Sequence, residues 1–174
     1  MTDTEHRSDD QAWPDISGEE CARITEALLE QGREAGEFLG LGGQDLEAMY
    51  HIAFHTYESG GYAQAEKIFG LLCLLHSREI TYWLGLGNCR QMLDRHVEAL
   101  AAYHLAALLD DQDTRPLMQS AVSWIALGER DAAGEALDAA LARSEAGRAD
   151  AALVRERAAT LRQWLEAPAA SATN

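Results

Sequence analysis

Small and apolar residues return through the middle of the chain every 34 positions. Ala53, Gly87 and Ala121 share one register, and Ala65, Ala99 and Ala133 share a second. Phe69, Tyr103 and Leu137 form a third column, followed by Leu72, Ala106 and Ala140. Gly60, Asp94 and Gly128 make a fifth, in which Asp94 is the departure from glycine. The pattern predicts helix pairs at 46–58 and 62–75, 79–92 and 95–109, then 115–127 and 131–144. Gly60-Gly61 and Gly128 sit where a helix ends in a left-handed residue. Pro116 falls in the first turn of its helix, where a missing N–H costs nothing.

The ends carry weaker helical patterns. Ser17 and Glu20 have the spacing of a capping box, opening a helix through about Leu29. Cys21, Ile24 and Leu28 lie on one face of it, and the glycines at 36, 40, 42 and 43 loosen its connection to the first repeat. Residues 148–166 read as a last amphipathic helix carrying Trp164. The organisation expected is an acidic disordered start at 1–15, an N-terminal helical region at 16–45, three repeats at 46–79, 80–113 and 114–147, a capping helix at 148–166 and a disordered tail at 167–174.

The period is that of the tetratricopeptide repeat, so the fold class expected is an all-α solenoid of three helix pairs. Trp83, Leu86 and Gly87 carry its W-x-x-L-G signature, and Tyr62 its G-x-Y turn. Such a stack is closed by a helix over its last repeat. Positions 5, 9 and 12 of the first helix in each pair point to the concave side. These are Tyr50, Phe54 and Tyr57, then Leu84, Asn88 and Gln91, then Met118, Val122 and Ile125. Aromatic side chains suit a binding groove because each offers a large, rigid contact with a polar tip.

Charge narrows the choice of partner. The net charge is −15, and residues 1–50 hold 13 acidic and 3 basic side chains, so they contribute −10 of it. A field of this sign repels phosphate backbones and anionic membranes, which argues against nucleic acid and against stable membrane association. No basic-then-apolar leader opens the sequence, and the apolar run from Ile68 to Leu75 is too short to cross a bilayer. Three unpaired cysteines, two of them within apolar runs, fit buried thiols in a reducing cytoplasm.

Catalytic and metal patterns are missing where they would be sought. His51 and His55 have i, i+4 spacing but no glutamate follows the first, and Cys73 with His76 lacks a second pair. The glycine clusters at 39–43 and 85–87 lack a P-loop lysine, Lys67 being the one lysine of the chain. No enzyme, cofactor or metal site is expected.

The segment from Leu46 to Ala106 resembles the class II chaperones of bacterial type III secretion. It follows their L-E-x-L-Y-x-x-A opening with Met49 in place of the second leucine, and carries the G-x-Y-x-x-A turn and, from Leu84 to Gln91, the element LGLGNCRQ. The resemblance extends over about residues 20–145, with Ser123-Trp124 departing from the family pattern in the third repeat. It implies a cytoplasmic chaperone that holds hydrophobic translocators soluble and secretion-competent, through a short extended segment lying in the concave groove. It also adds Tyr62 and Tyr103 to the groove positions, and implies dimerisation through the N-terminal helical region, where Cys21, Ile24 and Leu28 would form the contact. That same stripe could dock on the chain's own repeats. A general tetratricopeptide scaffold, or a chaperone doubling as a transcriptional co-regulator, fits the same residues.

Overall fold

The computed structural model describes residues 34–144 and 151–166. A single turn, α1 (Ala35–Phe38), precedes three helix pairs. These are α2 (Gly43–Glu58) with α3 (Tyr62–Leu75), α4 (Ile80–Met92) with α5 (His96–Leu109), and α6 (Arg115–Ala126) with α7 (Arg130–Ser144). The last helix is α8 (Ala151–Glu166). The largest difference from the expected ranges is at α2, which starts at Gly43 rather than 46. The Asp45 carboxylate reaches back to accept the Gly42 N–H at 2.8 Å, which supports the extra turn. The expected stripe of Cys21, Ile24 and Leu28 lies outside the described residues, as do the segments 1–15 and 167–174 and the start of the capping helix.

The 34-residue columns are where the helices meet. Ala53, Ala65, Ala99, Ala106, Ala121, Ala133, Leu137 and Ala140 are completely buried, and so are Leu72 and Tyr103. Small residues on both helices of a pair allow close approach, and the Phe69–Tyr103–Leu137 column fills the space between successive pairs. Burying each of these larger side chains stabilises the stack by about 1.5–3 kcal/mol before ordering costs. At Gly87 the fit is tight enough to exclude any side chain: a Cβ there would lie 2.3 Å from Cε1 of Tyr103. Gly85 stands in the same relation to the Phe69 ring, also at 2.3 Å. The glycines of the LGLG element are thus seats for two aromatic rings of one column.

Three identical turns join the helices within pairs. Gly60, Asp94 and Gly128 have φ of 82°, 58° and 79°, the left-handed conformation. At each, that residue's N–H donates three positions back and the next N–H donates five back. The pairs are Gly60 to Tyr57 and Gly61 to Thr56, Asp94 to Gln91 and Arg95 to Arg90, and Gly128 to Ile125 and Glu129 to Trp124, at 2.9–3.1 Å. This Schellman geometry satisfies the last carbonyls of each helix. Asp94 adopts it without glycine's freedom. Beside it, Arg95 and Arg90 bond to Glu66 of the preceding pair at 2.7 and 3.1 Å, which pins this turn across the repeat boundary. Trp83 ties the boundary from the other side, its indole N–H donating to the Ser77 carbonyl at 2.7 Å.

The first helices of the pairs also touch each other, α2 with α4, α4 with α6 and α6 with α8. In this respect α8 is more than a lid, because it continues the row as a fourth member.

Candidate functional site

A cavity of about 450 Å³ runs along that row. Its lining comes from α2 (Tyr50, Phe54, Tyr57), α4 (Leu84, Gly85, Asn88, with Thr81), α6 (Arg115, Met118, Gln119, with Thr114) and α8 (Leu153, Val154, Arg157), with Phe69 below. The aromatic end is held rigidly. The Tyr50 ring stacks on Phe54 at a centroid distance of 6.1 Å, and meets Phe69 edge-on at 6.0 Å and Tyr82 at 6.0 Å. Phe54 remains 43% exposed, and Leu153 of α8 is 57% exposed, so apolar surface stands open in the groove. Leu84 and Met118 are buried and form its floor.

The polar groups of the floor are oriented. The Asn88 Oδ1 accepts from the Tyr103 hydroxyl at 2.9 Å and from Gln119 Nε2 at 3.0 Å. Both acceptances fix the carboxamide, and its NH₂ has no partner among the described residues. Gln119 Oε1 is likewise unengaged among them. The pair offers one donor and one acceptor side by side, the complement of an extended peptide's C=O and N–H.

The structure separates the expected groove residues into two groups. Tyr50, Phe54, Tyr57, Leu84, Asn88 and Met118 line one cavity. Gln91, Val122, Tyr62 and Tyr103 do not line it. Gln91 instead donates to the Gln119 carbonyl at 3.2 Å and to Ser123 Oγ at 2.9 Å, joining α4 to α6. Val122 is half-buried, and Ile125 of the same helix is also away from the lining. Tyr62 packs edge-on behind Tyr57 at 5.3 Å. Tyr103 is completely buried over Gly87, and only its hydroxyl serves the groove, by holding Asn88. Burial pushes its phenol pKa upward, and that of Tyr57 too, with Tyr62 and Cys89 adding to the rise at Tyr57.

A single geometric cause accounts for Gln91 and Val122. The lining uses the later turns of α2 but the first two turns of α6, so the groove crosses the row obliquely. Equal positions in successive repeats therefore do not stay on it. Thr81, Thr114, Arg115 and Gln119 enter through this obliquity, and Leu153, Val154 and Arg157 enter because α8 continues the row.

Other candidate chemistry stays outside the groove. His51 and His55 are exposed, the former 3.7 Å from Glu47. Cys73 and Cys89 are buried thiols, and desolvation pushes each up to about 12. Among the described residues no group of three or more His, Cys, Asp or Glu could hold a metal, and no helix is long and apolar enough to cross a membrane.

No family model matches the chain. Low calcium response locus protein H of Yersinia pestis is 32% identical over 104 residues, which are 60% of this chain and 62% of that protein. The match thus spans somewhat less than two thirds of that curated relative. The Yersinia enterocolitica type III secretion translocator chaperone SycD superposes with a TM-score of 0.71 at 27% identity, over 76% of this chain and 98% of SycD. PcrH, a Pseudomonas aeruginosa protein, is 35% identical with a TM-score of 0.67, over 72% of this chain and 94% of PcrH. PcrH is solved with the chaperone-binding regions of PopD and PopB, and SycD with a peptide of the translocator YopD and in an alternative dimer.

Proposed function

The chain belongs to the type III secretion chaperones of translocator proteins, and on that premise we propose that it holds hydrophobic translocators in its groove before export. The cargo engages through a short extended segment whose apolar side chains enter beside Tyr50, Phe54 and Met118. Its main chain bonds to Asn88 and Gln119. Holding that segment keeps the translocator soluble and secretion-competent in the bacterial cytoplasm. The work is done by binding alone, with no reaction catalysed and no cofactor. Free of cargo, the chain pairs with a second copy of itself.

The observation that carries this reading is the groove's combination of open apolar surface with an oriented, unengaged amide donor and acceptor. Each apolar anchor buried contributes roughly 1.5–3 kcal/mol. Two or three of them, less the cost of ordering the segment, give an affinity of about micromolar. That is firm enough to hold cargo and weak enough to release it.

Co-expression with hydrophobic translocators encoded beside this chain tests the proposal. A soluble complex that co-purifies with the wild type and is lost with Tyr50→Ala/Phe54→Ala is the expected result. Translocators that stay insoluble and unbound would leave a general scaffold as the better account.

A further inference from the structure

Charge around the groove runs against the trend of the chain. The sequence has 29 acidic and 14 basic side chains, yet the cavity lining holds Arg115 and Arg157 and no Asp or Glu. The two arginines differ in state. Arg115 is forked onto Asp113, with Nη2 2.6 Å and Nε 2.9 Å from Oδ2, so its charge is already answered. Arg157 is exposed at the groove and makes no hydrogen bond or ion pair to any described residue. One helical turn before it, Leu153 opens onto the same cavity. The α8 wall therefore presents an apolar contact and an unanswered guanidinium together, while the α2 wall presents aromatic rings alone.

We infer that the segment entering the groove carries an aspartate or glutamate side chain at its α8 end, next to an apolar anchor, and that Arg157 pairs with it. The inference rests on the groove being the cargo site, and adds a charge requirement to it. Among the described residues of the groove only the α8 end offers an unanswered positive charge, so a carboxylate beside the apolar anchor fixes the direction in which the segment lies. A guanidinium also matches a carboxylate in two parallel bonds, which a lysine cannot do.

The test is a selection from random short segments, displayed between constant linkers, on the full chain and on Arg157→Gln, Arg157→Glu and Phe54→Ala variants. Far-UV circular dichroism and thermal unfolding of each variant establish that the fold is kept. The wild type is expected to enrich segments with Asp or Glu at a fixed spacing from an apolar residue. Arg157→Gln should lose that preference, with about a 5- to 30-fold weaker affinity for the selected segments. Arg157→Glu should move the preference at that position to Lys or Arg. Apolar enrichment that depends on Phe54 but has no acidic position, or an acidic preference unchanged in Arg157→Glu, overturns the inference and leaves the groove reading standing. Selected segments indifferent to Phe54→Ala overturn both.

Discussion

Gly87→Ala probes the tightest contact in the stack. A Cβ at Gly87 would lie 2.3, 2.7 and 2.9 Å from three carbons of the Tyr103 ring, well inside van der Waals contact. A shift of the ring disturbs its own anchoring, since Tyr103 is completely buried and its hydroxyl is held by Asn88 at 2.9 Å. Overpacking of this kind costs about 1–3 kcal/mol, and losing the hydroxyl's bond adds about 1 kcal/mol. The sum of about 2–4 kcal/mol corresponds to a fall in Tm of roughly 6–15 °C for a chain of this size. Thermal unfolding followed by circular dichroism at fixed protein concentration reads it directly. The third repeat supplies the control, because the same two columns there hold Ala121 and Leu137, both completely buried. Gly87→Ala/Tyr103→Leu recreates that pair and should be less destabilised than the sum of its single substitutions, by about 1–2 kcal/mol. A Gly87→Ala protein within about 2 °C of the wild type, or a double substitution that is simply additive, would refute the seat-and-ring account of the LGLG element.

Phe54→Ala and Tyr50→Ala should part company despite lining the same groove. Phe54 is 43% exposed, so its loss should weaken cargo-peptide binding by about 10- to 30-fold in a calorimetric titration with almost no change in Tm. Tyr50 packs on Phe69 and Tyr82, and Tyr50→Ala should lower both affinity and Tm; equal Tm losses for the two would contradict their different burial. Asp94→Gly, which gives the second turn the residue found in the other two, should raise stability by about 0.5–1 kcal/mol by chemical denaturation, since φ of 58° suits glycine. Cys73 and Cys89, pushed up to about 12, are neutral in the folded chain well above the pH at which an unfolded thiol ionises. Their contribution to stability is therefore complete below about pH 8.5 and is lost as pH rises toward 12, so denaturant midpoints should decline across that window, and less steeply in Cys73→Ala/Cys89→Ala. At pH 8 both should resist a thiol reagent until the chain unfolds; rapid labelling of the native protein would contradict their burial.

The fold was written in the sequence because both members of each packing contact recur at one spacing. Gly87 and Tyr103 announce each other, and so do Ala121 and Leu137. The turns were legible for the same reason, and Asp94 takes the left-handed conformation because the positions around it, not its own type, demand it. The groove was legible only where the repeat stays in phase with it. Tyr50, Phe54, Leu84 and Met118 are set by helix periodicity alone. Gln91 and Val122 depend on how far each pair rotates against the last, which is the sum of many small packing choices and leaves no local mark. The part played by Tyr103, a core ring whose hydroxyl steers a groove amide, depends on an atom pair fifteen positions apart that no pattern of residue types encodes. Leu153 and Arg157 were hidden because α8 lacks the signature of the repeats whose row it joins.

Among the described helices, no two consecutive in the chain face each other across the groove's length. Its walls are α2, α4, α6 and α8, and each neighbour in that row is reached through an intervening helix that takes almost no part in the lining. The groove is consequently a property of the spacing between repeats, and no single repeat contains more than one of its walls. An occupant that touches both α2 and α8 behaves as a ruler laid across the stack. It fits when three successive intervals are all correct, and a small change in any one interval displaces every contact beyond it.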